Sequence, residues 1–87
     1  MRLVDLERAR VEALARELVT VYRRDTGQGC LVVDVSTVES VERWRRAARR
    51  AGRLLGIHVR TGLSYDGRCV WMVDATSEVS VRGAITE

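Results

Sequence analysis

The residues of this chain with the clearest chemistry are arginines. All fifteen basic residues are Arg and none is Lys. Six of them, Arg43, Arg45, Arg46, Arg49, Arg50 and Arg53, fall between residues 37 and 55, where the only acids are Glu39 and Glu42. That segment has a balance of +4, residues 1–36 balance to zero and residues 56–87 to −1, so it supplies the whole net charge of +3. Turned at 100° per residue, the six lie on a roughly 160° arc opposite Trp44, Ala48 and Leu55. Arg46, Arg49, Arg50 and Arg53 form a tighter stripe of i, i+3 and i+4 neighbours. Like charges at that spacing oppose one another on an isolated helix, and a bound polyanion would relieve them. Guanidinium groups bind phosphate bidentately and stack on bases, which ammonium groups do not match. The competing reading is a plain solvated face, since Arg is a good helix former. Coding bias accounts for Arg in place of Lys. It does not account for the lack of acids beyond Glu42, when the first helix does intersperse its own.

The other reactive residue types point to less. Arg60 and Arg68, with Tyr65 and Trp71, interleave cations with aromatic surface, as single-strand binders do for stacking. A Trp on an open sheet face beside Val73 and Val32 is also what an oligomer contact uses, and cover by the C-terminal tail is a third reading. His58 is the only histidine and has no metal-ligand spacing around it, so no metal is expected. Cys30 and Cys69 are too few for a disulfide framework. Asp34 and Asp74 are expected on opposite faces, which removes them as a carboxylate pair. Gly27-Gln28-Gly29 lacks the spacing and the Lys-Ser/Thr of a phosphate loop. No cofactor, small-molecule substrate or catalytic residue is expected, and the chain is not read as an enzyme.

The elements that must carry these residues follow from periodicity. Leu3, Val4, Val11, Leu14, Ala15, Leu18, Val21 and Tyr22 share about 120° of a helical wheel, giving a helix over 3–24. Its opposite side carries Asp5, Arg8, Glu12 and Arg16, expected to pair along an exposed face. Cys30–Ser36 reads as a strand. Ser36 or Thr37 is the expected N-cap, with Glu39 completing a capping box, of a second helix from Val38 to Leu55. Val38, Val41, Trp44, Ala47, Ala48, Ala51, Leu54 and Leu55 should pack, and Gly56 should end it. Ile57–Tyr65 and Arg68–Ala75 flank Asp66-Gly67, a strong hairpin signal. A two-residue loop sets Tyr65 opposite Arg68, then Leu63–Val70, Thr61–Met72 and Val59–Asp74, with Trp71 covering Gly62. The tail, 76–87, alternates at Val79 and Val81; it could add a short edge strand or be a flexible or swapped arm.

A strand reached by a helical crossover favours a parallel relation, and Arg68–Ala75 fits between the other two strands. The expected fold is therefore α+β in the order α-β-α-β-β, a two-layer sandwich with two helices on one face of a three-stranded mixed sheet. This order resembles the latter part of the Alba chromatin proteins and of the C-terminal domain of translation initiation factor three. Both have an earlier strand, for which Met1 and Arg2 leave no room. The resemblance is one of topology and assigns no residue a role.

With 46% hydrophobic and 31% charged residues, no proline and no long apolar run, the 87 residues are read as a single intact domain, 1–87, reduced and cytoplasmic. The leading function is non-catalytic nucleic-acid binding, DNA ahead of RNA, in an accessory or regulatory role. Arg46, Arg49, Arg50 and Arg53 would contact phosphates, and Arg43, Arg60 and Arg68 would extend the footprint. A homodimer through Trp71, Val73 and Val32 would join two basic helices. The alternative is a protein-interaction adaptor whose arginine face docks an acidic partner. A subunit lending structure to a catalytic partner is a third.

Overall fold

The computed structural model describes residues 3–25 and 30–76. The elements run α1 (Leu3–Asp25), β1 (Cys30–Asp34), a 3-10 turn (Val35–Thr37), α2 (Val41–Leu55), β2 (Val59–Leu63) and β3 (Cys69–Asp74). The apolar stripe of α1 turns inward: Ala15 and Leu18 are buried, with Val11, Leu14, Val19, Val21 and Tyr22 packed around them. From α2 come Trp44, Ala47, Ala48, Ala51 and Gly52, four of them small, so its backbone lies close to its neighbours. A Cβ at Gly52 would stand 2.5 Å from Val59 Cγ2. Leu54 departs from expectation, lying 42% exposed near the end of the helix.

The start of α2 also differs. Asp34 takes over the preceding segment: its carboxylate accepts from Ser36 N at 2.8 Å, and its carbonyl accepts from the Thr37 hydroxyl at 2.8 Å. This closes a separate 3-10 turn, so Ser36 and Thr37 are spent on it and no Ser36–Glu39 capping box forms. The helix therefore begins at Val41 rather than Val38. Ser40 is its N-cap, with Oγ accepting from Arg43 N at 3.2 Å. Gly56 ends the helix as expected, with φ 73° in the left-handed region.

The strand order is β1-β3-β2, and both hydrogen-bonded pairs are antiparallel. The expectation of a mixed sheet is corrected accordingly. β1 and β2 do run in the same sense, but β3 returns from the hairpin to lie between them, so they form no parallel ladder. The hairpin register is Val59↔Asp74, Thr61↔Met72 and Leu63↔Val70. Its tip is longer than two residues. Ser64 N bonds Cys69 O at 2.8 Å and Gly67 N bonds Ser64 O at 2.9 Å, leaving Tyr65, Asp66, Gly67 and Arg68 beyond the last pair. Asp66 Oδ1 holds this turn by accepting from the Ser64 hydroxyl at 2.7 Å and Arg68 N at 3.0 Å. Gly67 takes φ 74°.

One cluster unites Ala15 and Leu18 of α1, Trp44, Ala47, Ala48 and Ala51 of α2, and Leu31, Val70 and Met72 of the sheet. The opposite sheet face carries Val32, Trp71, Val73 and Gly62, aligned by the pairs Val32↔Trp71 and Gly62↔Trp71. The expected tail strand, with Val79 and Val81, lies outside the described residues.

Candidate functional site

The arginines of α2 divide by what α1 offers them. Arg43 donates from Nε and Nη2 to the two carboxylate oxygens of Glu7, at 2.8 and 2.9 Å, and from Nη1 to Glu39 at 3.0 Å. Its side chain is only 18% exposed. Arg50 makes a second inter-helix pair, reaching Glu12 at 2.9 and 3.3 Å. These hydrogen bonds hold the Glu7 and Glu12 carboxyls below their ordinary range and raise both guanidinium groups. Charge-assisted bidentate pairs of this kind fix geometry as well as charge. Of the arginines beyond Glu42, α1 thus supplies an acid to Arg43 and to Arg50.

Arg45 has a different task. Its Nη2 donates to the Thr61 carbonyl at 3.2 Å, laying the side chain over the outer edge of β2. A charged side chain on one outward carbonyl hinders pairing of a further strand at that point of the edge. Arg46 lies 3.5 Å from Glu42 with both side chains well exposed, a contact of the weak surface kind.

Arg49 and Arg53 have no acidic partner among the described residues. They open onto a shallow groove of about 470 Å³ between α1 and α2, where Arg8, Arg46, Arg49, Arg50 and Arg53 surround Val11 and a single acid, Glu12. Four of the expected phosphate contacts, Arg46, Arg49, Arg50 and Arg53, thus share one site. Arg43 lines a separate groove beside Trp44, Glu39 and Ser40. Arg60 sits on β2 opposite Val73, and Arg68 belongs to the hairpin tip, so these three do not converge on the α1–α2 groove.

Sequence reasoning misses Glu7, Arg8 and Glu12 as members of this arrangement, and it groups Arg45 with the solvent-facing arginines although Arg45 turns to Thr61 of β2. Periodicity puts Arg8 and Glu12 on the solvent side of α1, yet both line the groove. Their signal is position: each adjoins the apolar stripe through Val11, and long side chains at a stripe's margin reach the neighbouring helix.

The second surface is the open sheet face. Val32 is 57% exposed at the middle of β1. Trp71 is half-buried because its ring covers Gly62: a Cβ there would lie 2.6 Å from Trp71 Cζ2. Cys30 and Cys69 occupy opposite ends of the β1–β3 ladder, against Val73 and Asp34 respectively. Asp34 and Asp74 are likewise at opposite ends of the sheet. Among the described residues no His, Cys, Asp and Glu group could hold a metal ion, and no helix is long and apolar enough to cross a membrane.

No family model matches the chain, and no curated protein or solved structure matches it either. Charge and geometry carry the functional reading.

Proposed function

We propose that this domain binds nucleic acid without catalysis, laying a phosphate backbone along the groove between α1 and α2. The observation that carries the reading is the groove's composition: five arginines around one glutamate, with Arg49 and Arg53 lacking an acidic partner among the described residues. Phosphates spaced along a strand suit side chains spaced by one helical turn, and each neutralised phosphate releases counterions. Such contacts position a backbone and read no sequence, which fits an accessory role. Arg46, Arg49 and Arg53 are the principal phosphate ligands in this reading and Arg8 extends them. Arg43 is set apart by its saturation with Glu7 and Glu39.

The test is fluorescence anisotropy of labelled duplex DNA, single-stranded DNA and RNA across a salt series. Log affinity should fall linearly with log salt, and the order of the three ligands names the partner. Absence of binding to all three at low salt rejects the reading.

Self-association is the second reading, favoured by exposed Val32 next to Trp71 on a sheet face that the described residues leave open. A twofold pair would place two basic grooves on one particle. An adaptor that docks an acidic protein would use the same arginines, with saturation at fixed stoichiometry in place of a polyanion salt slope.

A further inference from the structure

We infer that Glu12 is a built-in competitor for the ligand of the α1–α2 groove, its carboxylate occupying at Arg50 the place a ligand phosphate would take. The inference rests on the phosphate-binding reading of that groove. Carboxylate and phosphate both present a pair of oxygens to the guanidinium fork, and Glu12 already fills the fork of Arg50 at 2.9 and 3.3 Å. Among the described residues it is the single acid lining the groove, Glu42 lying beside Arg46 but outside that lining. Like any carboxyl at or below the ordinary value of 4.5 it is ionised at neutral pH, and the hydrogen bond from Arg50 lowers it further, so it contributes a full competing charge.

The contrast with Glu7 shows why Glu12 can exchange. Arg43 is 18% exposed and carries a second acid, Glu39, so its pair is closed in. Arg50 and Glu12 are 40% and 34% exposed, open to a competing anion from solvent. Glu12 also has a second cation within reach, Arg16 at 4.0 Å on its own helix. A phosphate at Arg50 therefore leaves Glu12 a neighbour to turn to. Binding then recruits one more arginine than the unliganded groove offers, against the cost of opening one inter-helix pair.

The experiment compares wild type, E12D, E12Q and E17Q in anisotropy titrations with labelled single-stranded and duplex DNA over a salt series. E12D keeps the net charge and draws the carboxylate back by one methylene. E17Q removes a charge from α1 outside this groove. E12D and E12Q should bind about 2- to 5-fold tighter, the range of one exposed ion pair. Their duplex salt dependence should steepen by about 0.9 in log–log slope, one extra phosphate. E17Q should keep the wild-type slope. The two Glu12 variants should also melt lower without DNA yet gain more in Tm with it, a pattern that mere helix clamping does not produce. E12D matching wild type in affinity and slope overturns the inference while leaving the groove reading intact. Absence of DNA binding in all four proteins overturns both. Circular dichroism verifies folding, and where E12Q is unfolded, E12D decides.

Discussion

Arg43 and Glu7, 36 residues apart, meet through two hydrogen bonds of 2.8 and 2.9 Å that join the first turn of α2 to the first half of α1. The pair is closed on one side by Glu39. An arginine engaged on this many oxygens has few donors left for a ligand, whereas Arg49, further along the same helix, has no acid at all among the described residues. In the proposed reading the two positions therefore separate holding the fold from binding an anion. Arg43→Ala should lower Tm by about 3–8 °C, the scale of one lost partly exposed pair in a domain of this size, and leave DNA affinity near wild type. Thermal melting by circular dichroism together with anisotropy checks both halves. A large loss of affinity at unchanged Tm would return Arg43 to the binding surface.

Charge reversal at the unpaired positions should do the opposite. Arg49→Glu with Arg53→Glu reverses two charges in the groove and touches no ion pair among the described residues. Binding at low salt should fall by at least about tenfold, as expected for the loss of two phosphate contacts plus repulsion. Helical content and Tm should stay close to wild type. Retained affinity would place the nucleic-acid surface elsewhere.

The pH dependence has a fixed sign. Glu7 and Glu12 are held below their ordinary value of 4.5 by hydrogen bonds from Arg43 and Arg50. Asp34, Asp66 and Asp74 are lowered by donors on Ser36, Ser64 and Thr76. Each binds its proton more weakly folded than unfolded, so its contribution is complete above the ordinary carboxylate range and is lost as pH falls through the lowered folded value. Tm should be level near neutrality and drop steeply below about pH 4.5. Replacing Glu7 and Glu12 together by Gln should lower the neutral plateau and flatten that drop. An unchanged acid limb would show that the two pairs add nothing to stability.

How far the sequence reveals this arrangement depends on the range of each interaction. The hairpin register is legible because Asp66-Gly67 and the alternation around Met72 are local, and the covering of Gly62 by Trp71 follows from that register. The start of α2 is not, because Asp34, Ser36, Thr37 and Ser40 all compete to cap and only the geometry of the chain decides among them. The antiparallel ladders on both sides of β3 already follow from placing Arg68–Ala75 between the other two strands; the term mixed rests on a rule about β1 and β2, which do not pair with each other. The arginine stripe is visible from spacing on one helix, but its partners Glu7 and Glu12 sit 36 and 38 residues away. An i, i+4 pattern holds no information about which side of α1 will face it.

The open sheet face yields the last prediction. The bond from Val35 N to Arg68 O, continued through the antiparallel ladder, turns the backbone groups of Leu31 and Val33 toward β3 and those of Val32 toward the outer edge. Val32 thus presents an exposed apolar side chain and an outward main-chain donor and acceptor at the centre of an edge strand. At the other edge Arg45 hinders pairing at Thr61 O. An edge with an apolar centre, left open by the described residues, is a template for strand pairing, and a second copy offers the same strand about the same central residue. Sedimentation velocity should detect a concentration-dependent dimer for wild type. Val32→Lys, which places a charge at the point where two copies would meet, should be monomeric at the same concentrations with an unchanged Tm for the monomer. Trp71→Ala should weaken the dimer less, because much of that ring is already spent on Gly62. A wild-type protein that stays monomeric throughout would remove this face as a self-association surface.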